Sequence, residues 1–279
     1  MPSPLPVELI EAIVDEVGLS GDVPTLKACA LTSWAFTAPA QRHLFRRVDF
    51  ERRSPRKHYQ RFYKTLKAQP RLGTYVRDIH LVDDSDDEGR SLFLTCGTQS
   101  WILGSKGQIS QLLELLTNLE RFALSFGPDM TDWKSIPEKT RAALESVFRL
   151  PRLQAIRLEF VHNFPPDVLY SISKVPEVFL SCVEVAPTPL APPRNEVGSR
   201  LRSLFLRGTP GATIDVIVQS LKQCEPTLES FSITPTYENG FCQSANEVIR
   251  CTGASLRKFQ WIPSVHFGTS TPPVCENRH

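Results

Sequence analysis

A short apolar pattern that recurs seven times constrains the fold of this chain more than any other feature. The pattern reads apolar-x-x-apolar-x-apolar. Its copies are VRDIHL (76–81), LERFAL (119–124), LQAIRL (153–158), VFLSCV (178–183), LRSLFL (201–206), LESFSI (228–233) and LRKFQW (256–261). Their final positions are 43, 34, 25, 23, 27 and 28 residues apart, so the last four spacings are nearly constant. Such recurrence predicts repeated structural units that stack on one another.

The chain between the copies has the spacing of helices. The stretches SQLLELLTN, TRAALESVFRL, PPDVLYSISKV, ATIDVIVQSLKQC and SANEVIRCT carry apolar residues three and four positions apart, which places them on one helix face. Each unit is therefore a short strand followed by a helix, and a period of about 20–29 residues is that of leucine-rich repeats. We expect an α/β fold in which residues 74–279 form an irregular leucine-rich-repeat-like solenoid with a parallel sheet.

Two segments predict exposed loops within this array. The acidic DDSDDEG (83–89) lies in the first long interval, and the proline-rich APTPLAPPRNEVGS (186–199) lies in a later one. The acidic run does not match a calcium loop of the EF-hand type. When Gly89 is placed at the sixth position of that loop, Thr95 stands at the twelfth, where the ligand is a glutamate. We predict no metal site here.

No catalytic motif is present in the sequence. None of the six histidines lies in H-E-x-x-H, and G-x-S-x-G, G-x-x-x-x-G-K-[ST] and G-x-G-x-x-G are all absent. We therefore predict a non-enzymatic protein with no catalytic residue, cofactor or metal. The net charge of +2 is too small to indicate a polyanionic partner by itself.

The sequence shows no secretory or membrane-spanning segment, which predicts a location inside the cell. The N-terminus lacks a basic start followed by an apolar core, so we predict no secretory signal. No apolar run approaches the roughly 20 residues of a membrane helix, so no membrane partner is expected. The seven cysteines are scattered without a C-x-x-C pair and read as reduced thiols. We predict an intracellular protein of the cytoplasm, the nucleus or both.

The first 49 residues have a different organisation, with three predicted helices. LPVELIEAIVDEV is entered through Pro6, has a stripe of apolar residues and is broken by Gly18 to Gly21. Asp22 is placed to cap a second helix that ends near Ser33. Thr37 and Pro39 indicate the start of a third helix, which leads into QRHLFRRVDF (41–50).

This region resembles an F-box. The family pattern has a Leu-Pro opening, an acidic residue two places on, alternating Leu/Ile positions, an apolar segment ending in Trp, and a closing Leu-aromatic pair. LPVELIEAIVDEV, LKACALTSW and HLF match these pieces in order, although Thr32 replaces a frequent lysine and a few residues around Gly18–Val23 are inserted. F-box proteins commonly carry leucine-rich repeats after the box, as predicted for this chain.

The resemblance implies the substrate-recognition subunit of an SCF-type (Skp–cullin–F-box) ubiquitin ligase. The F-box (1–49) would dock on a Skp-family adaptor and through it on a cullin, while the repeats would hold an unknown target protein. The residues that carry the match are the expected adaptor contacts: Leu5, Pro6, Leu9, Ile10, Ile13, Leu31, Trp34, Leu44 and Phe45. Polar residues in and beside the repeated pattern are the expected target contacts: Arg77, His80, Arg121, Arg157, Arg202 and Lys258.

Two alternatives remain open at this point. The chain is also compatible with a repeat-based scaffold that acts outside any ligase. The stretch 46–64 holds eight Lys or Arg with Tyr and Phe among them, a combination that can bind single-stranded nucleic acid. We favour the simpler interpretation that residues 50–73 form a basic linker helix with a solvated charged face.

Overall fold

The computed structural model describes residues 5–50, 55–83, 102–104, 107–127, 130–187, 200–223, 227–235 and 241–263. They form an α/β structure around a nine-stranded sheet in which the paired strands are parallel. The predicted loops 83–89 and 186–199 lie outside the described residues except for Asp83, Ala186 and Pro187.

After the first three helices, most of the strands are separated by helices or 3-10 turns. The helices are α1 (Val7–Ser20), α2 (Val23–Thr32), α3 (Trp34–Arg46), α4 (Pro55–Ala68), α5 (Gln108–Glu114), α6 (Glu138–Phe148), α7 (Pro166–Ile172), α8 (Gly211–Lys222) and α9 (Phe241–Thr252), with 3-10 turns at Pro70–Tyr75 and Trp133–Ser135. The strands are β1 (Arg47–Asp49), β2 (Asp78–Val82), β3 (Arg121–Ser125), β4 (Thr131–Asp132), β5 (Ala155–Phe164), β6 (Glu177–Val185), β7 (Ser203–Arg207), β8 (Ser230–Thr234) and β9 (Lys258–Trp261).

The strands lie in the sheet in the order of the sequence, apart from the short β4, which pairs beside β5. The final apolar positions of the repeated pattern are in register across neighbouring strands. This row consists of Leu81, Leu124, Leu158, Leu180, Leu206, Ile233 and Trp261, and all but Trp261 are buried. The predicted strand–helix alternation and parallel sheet are thus confirmed. Stacking is what allows each unit to cover its apolar row.

One copy of the pattern was placed in the wrong register. Val178 pairs with Ile156 and Leu180 pairs with Leu158, so the fourth unit is VPEVFL (175–180) and not VFLSCV (178–183). The prediction failed because Cys182 has a φ of 51°, a left-handed conformation that interrupts the regular alternation of side chains along β6. As a result Val183, three residues after Leu180, is also fully buried.

The first three helices form a unit with its own small core. Val14, Leu26 and Ala40 are buried together, one from each helix. The predicted Asp22 cap is present, because its carboxylate accepts from the Thr25 backbone N–H at 3.1 Å. The third helix begins at Trp34 and not near Thr37–Pro39. Ser33 is its N-cap, so the proline lies inside the helix.

Residues beside the predicted boundaries at 49 and 73 contribute to the sheet and to its core. Arg47–Asp49, assigned to the F-box-like region, is a strand that pairs with β2. The basic helix α4 packs against the large core beneath the sheet, where Tyr59 and Leu66 are buried together with Phe50, which precedes the helix. The apolar side chains of α4 recur on one face and therefore cover the first units of the sheet.

Candidate interaction surfaces

Helix α1 has a wider apolar stripe than its neighbours can cover. Ile10 and Val14 point inward and are 6% and 0% exposed. Leu9 and Ile13, one position earlier on the helix, are 51% and 47% exposed. A helix that packs on one side only normally has polar residues at such positions. These two side chains therefore form an uncovered apolar surface.

The connection between α2 and α3 exposes two further large apolar side chains. Ser33 is extended, with φ −158° and ψ 148°, and its hydroxyl oxygen accepts from the Ala35 N–H at 3.3 Å. On either side of this cap Leu31 and Trp34 are each 88% exposed. Burying a Trp or Leu contributes some of the largest hydrophobic free energies, so an exposed pair marks a place where another surface can bind.

We call the exposed apolar set of the first three helices the N-terminal apolar residues. They are Leu5, Val7, Leu9, Ile13, Leu19, Val23, Leu31 and Trp34. Val7, Leu19 and Val23 were missed by the motif-based prediction. They are apolar residues at helix positions facing away from the core, and the sequence alone does not distinguish those positions.

The nine predicted adaptor residues do not share one environment. Leu5, Pro6, Leu9, Ile13, Leu31 and Trp34 are exposed. Ile10 is buried, and Leu44 packs against the small core of the three helices. Phe45 stacks on Phe62 of α4 with ring centroids 6.4 Å apart. The last three side chains therefore position the surface from within, and the exposed six are available for contact.

Close packing of α1 on α3 fixes the orientation of this surface. The His43 Nε2 atom lies 2.7 Å from the Asp15 carboxylate, and Arg42 donates to Glu11 at 2.8 Å. Gly18 makes the approach possible, because a Cβ atom there would lie 2.2 Å from the His43 ring.

The second surface is the face of the sheet that the described helices leave uncovered, which we call the open face. His80, Arg121 and Arg157 alternate with the buried rows and lie on this face. Lys258 lies on the same face, because it pairs with the outward Ser230. Arg77 and Arg202 precede strands β2 and β7. The Arg77 guanidinium donates to the Asn118 carbonyl at 3.0 Å and is partly used in the fold.

An aromatic ladder stands at the centre of the open face. The rings of Phe179 and Phe205 stack at 4.4 Å with an interplanar angle of 5°. The Arg157 guanidinium caps the stack, 4.4 Å from the Phe179 ring centroid, and donates to Glu159 at 2.8 Å. Arg157 was predicted as a contact residue, but the two phenylalanines were not. Phe205 occupies the x position of LFL in its unit, which is the signal that could have identified it.

The described basic side chains of helix α4 are exposed to solvent, whereas its residues Tyr59 and Phe62 pack toward the core. Tyr59 packs edge-on against Phe50 at 6.0 Å, and Phe62 does so at 5.8 Å. Burial raises the pKa of Tyr59 well above its ordinary value. Base stacking needs exposed rings, so these two aromatics do not provide such a platform.

No group of three or more His, Cys, Asp or Glu side chains suited to hold a metal occurs within the described residues. In the same part of the chain, every helix is too short or too polar to cross a membrane.

Comparisons with known proteins leave the family open. Neither a family model nor a curated protein matches this sequence.

Proposed function

We propose that this protein is the substrate-recognition subunit of an SCF-type ubiquitin ligase. The first three helices dock on a Skp-family adaptor, and divergent leucine-rich repeats present the open face to a target protein. The chain carries no catalytic step in this proposal. Its contribution is proximity, because it raises the effective concentration of target lysines near the ubiquitin carrier, and it acts in the cytoplasm or nucleus.

The observation that carries the proposal is the exposure of the N-terminal apolar residues. A unit of three short helices buries only a small core around Val14, Leu26 and Ala40 and leaves Leu31 and Trp34 almost fully solvated. Several large apolar side chains exposed on one small unit are typical of a protein interface. These exposed positions include residues of the F-box-like motif, and this coincidence favours an adaptor over an unrelated partner.

The energetic expectation is that a few residues dominate the interface. Fully burying a Leu side chain is worth about 1.5–3 kcal/mol, and Trp is among the commonest interface hot spots, at about 2 kcal/mol or more. Trp34 and Leu31 lie beside the same helix cap. Truncating both should therefore remove a large share of the affinity.

The test is co-purification with a Skp-family adaptor and titration by calorimetry. We expect the wild-type chain to form a 1:1 complex and the double variant Leu31→Ala/Trp34→Ala to bind roughly a hundredfold more weakly. Lys27→Ala on the same helix α2 is the matched control, since Lys27 is also exposed but not apolar.

Circular dichroism should show the same melt for all three proteins, because the changed side chains are exposed. Failure of the wild-type chain to bind any Skp-family adaptor would overturn the proposal and favour a scaffold outside the ligase. Equal affinity of the double variant and the control would instead exclude this surface as the docking site.

A further inference from the structure

The open face contains a trough along strand β8. The outward residues of β8 are Ser230, Ser232 and Thr234, which alternate with the buried Phe231 and Ile233. Larger side chains stand on both sides in register with them: Phe205 and Arg207 on β7, and Lys258 and Gln260 on β9. The floor of this β8 trough therefore consists of small hydroxyl side chains, and its walls are one ring, two cations and one amide.

One ring face of Phe205 is turned toward this trough. Its other face is covered by Phe179 at 4.4 Å, and Phe179 is covered in turn by the Arg157 guanidinium. The ladder advances by one ring per strand, which is close to the strand spacing of about 4.8 Å. It stops at Ser232, the next residue in that row. A planar group placed above Ser232 would continue the stack.

The charges of the trough favour an anionic occupant. Arg207 and Lys258 are exposed, and neither side chain has a hydrogen bond or an ion pair within the described residues. Glu229 brings a carboxylate to the Lys258 end, where Arg202 and Arg257 outnumber it. At the other end Arg207 stands beside Thr234. Each end therefore has a positive charge available for a carboxylate.

The spacing of these groups matches an extended peptide. Three pairs of residues are in register along the trough: Lys258 with Ser230, Phe205 with Ser232, and Arg207 with Thr234. The three pairs are two residues apart along the strand. In an extended peptide, residues i, i+2 and i+4 point to the same side, about 13 Å from first to last. An aromatic residue at i+2 would fill the slot while acidic residues at i and i+4 reach the two cations.

We propose that the β8 trough binds an extended segment of the target protein with the form acidic-x-aromatic-x-acidic. This inference rests on the proposed function, since it names the target class that the repeats would present to the ligase. The ring supplies most of the affinity through burial and stacking on Phe205. The two acidic residues set the register and accelerate association, because exposed ion pairs contribute little net free energy.

The test is fluorescence anisotropy with labelled, capped pentapeptides and the full chain. We expect Glu-Ser-Tyr-Ser-Glu to bind roughly tenfold more tightly than Glu-Ser-Ala-Ser-Glu and more tightly than Lys-Ser-Tyr-Ser-Lys. Ser232→Phe should fill the slot with the protein's own ring and weaken binding roughly tenfold or more. Ala123→Phe is the matched control, because it adds the same ring in the same row, four strands away on β3.

Several results would overturn the proposal. These are the absence of peptide binding, equal binding of the tyrosine and alanine peptides, and unchanged binding by Ser232→Phe. Oligothymidine binding that Ser232→Phe abolishes would also do so and would assign the trough to single-stranded nucleic acid. Adaptor binding, measured on the same preparations, separates the two proposals. We expect Ser232→Phe to bind the adaptor like wild type, and peptide binding by a chain that binds no adaptor would overturn only the ligase assignment.

Discussion

The close contact between α1 and α3 depends on the absence of a Cβ atom at Gly18, and the Gly18→Ala substitution tests this. Gly→Ala inside a helix normally stabilises it by about 1 kcal/mol. At this position the added Cβ would lie 2.2 Å from Nδ1 and 2.4 Å from Cγ of His43. Cγ is the first ring atom, so the whole imidazole has to swing away. Overpacking of this kind costs about 1–3 kcal/mol.

Displacing the His43 ring would also break its hydrogen bond with Asp15. His43 Nε2 lies 2.7 Å from Asp15 Oδ1, and such a hydrogen bond contributes about 0.5–1.5 kcal/mol. We take the lower end because the Asp15 side chain is 54% exposed. The losses exceed the gain in helix propensity, and Gly18→Ala should destabilise the three-helix unit by about 1–2 kcal/mol.

Hydrogen exchange of the α1 and α3 amides in the full chain measures this change. Exchange should accelerate by roughly tenfold for each 1.4 kcal/mol lost, while the amides of β5 to β7 stay unchanged. The decisive variant is Gly18→Ala placed in a His43→Ala background, where the ring is gone. There the same substitution should stabilise the unit by about 1 kcal/mol. Stabilisation by Gly18→Ala with His43 intact would refute the reasoning.

Two further predictions concern the large core. Trp133→Ala should lower the free energy of unfolding by about 3–5 kcal/mol in urea titrations, because Trp133 is 1% exposed and meets Phe164 edge-on at 4.8 Å; a loss below 1 kcal/mol would contradict this packing. Burial raises the pKa of Tyr59. Above the unfolded pKa of about 10, the phenol ionises in the unfolded chain but stays neutral in the folded protein, so the free energy of unfolding falls as pH rises. Tyr59→Phe should remove that fall in melts between pH 9 and 11, and an unchanged pH slope would count against it.

The sequence predicted the repeated units well because their signal is redundant. Rows such as Ile79, Phe122 and Ile156 must all be apolar to cover one continuous core. An error in one copy is then visible against the others. The error in the fourth unit arose locally, where the left-handed conformation of Cys182 leaves both Leu180 and Val183 buried. A positive φ at a cysteine has no clear signature in composition or spacing.

The interaction surfaces were predicted less completely, for a physical reason. Leu9 and Ile10 are equally apolar, and only the packing of α1 against its neighbours makes one exposed and the other buried. The ladder is similar, since Phe179 and Phe205 become partners only when strands β6 and β7 are in register. The sequence pattern predicts helix faces and strands, whereas the exposure of a side chain depends on which other elements pack against it.

The direct passage from α3 to β1 has a mechanical consequence. Helix α3 ends at Arg46 and β1 begins at Arg47, so no hinge residue separates the helical unit from the sheet. The Phe45–Phe62 stack and the hydrogen bond from Arg77 N to Arg46 O, at 2.9 Å, brace this junction. The β8 trough lies six strand spacings from β1, roughly 29 Å. A protein bound at the helices and a peptide bound at the trough would therefore be held at a fixed distance from each other. Inserting or deleting one repeat would change that distance by one strand spacing.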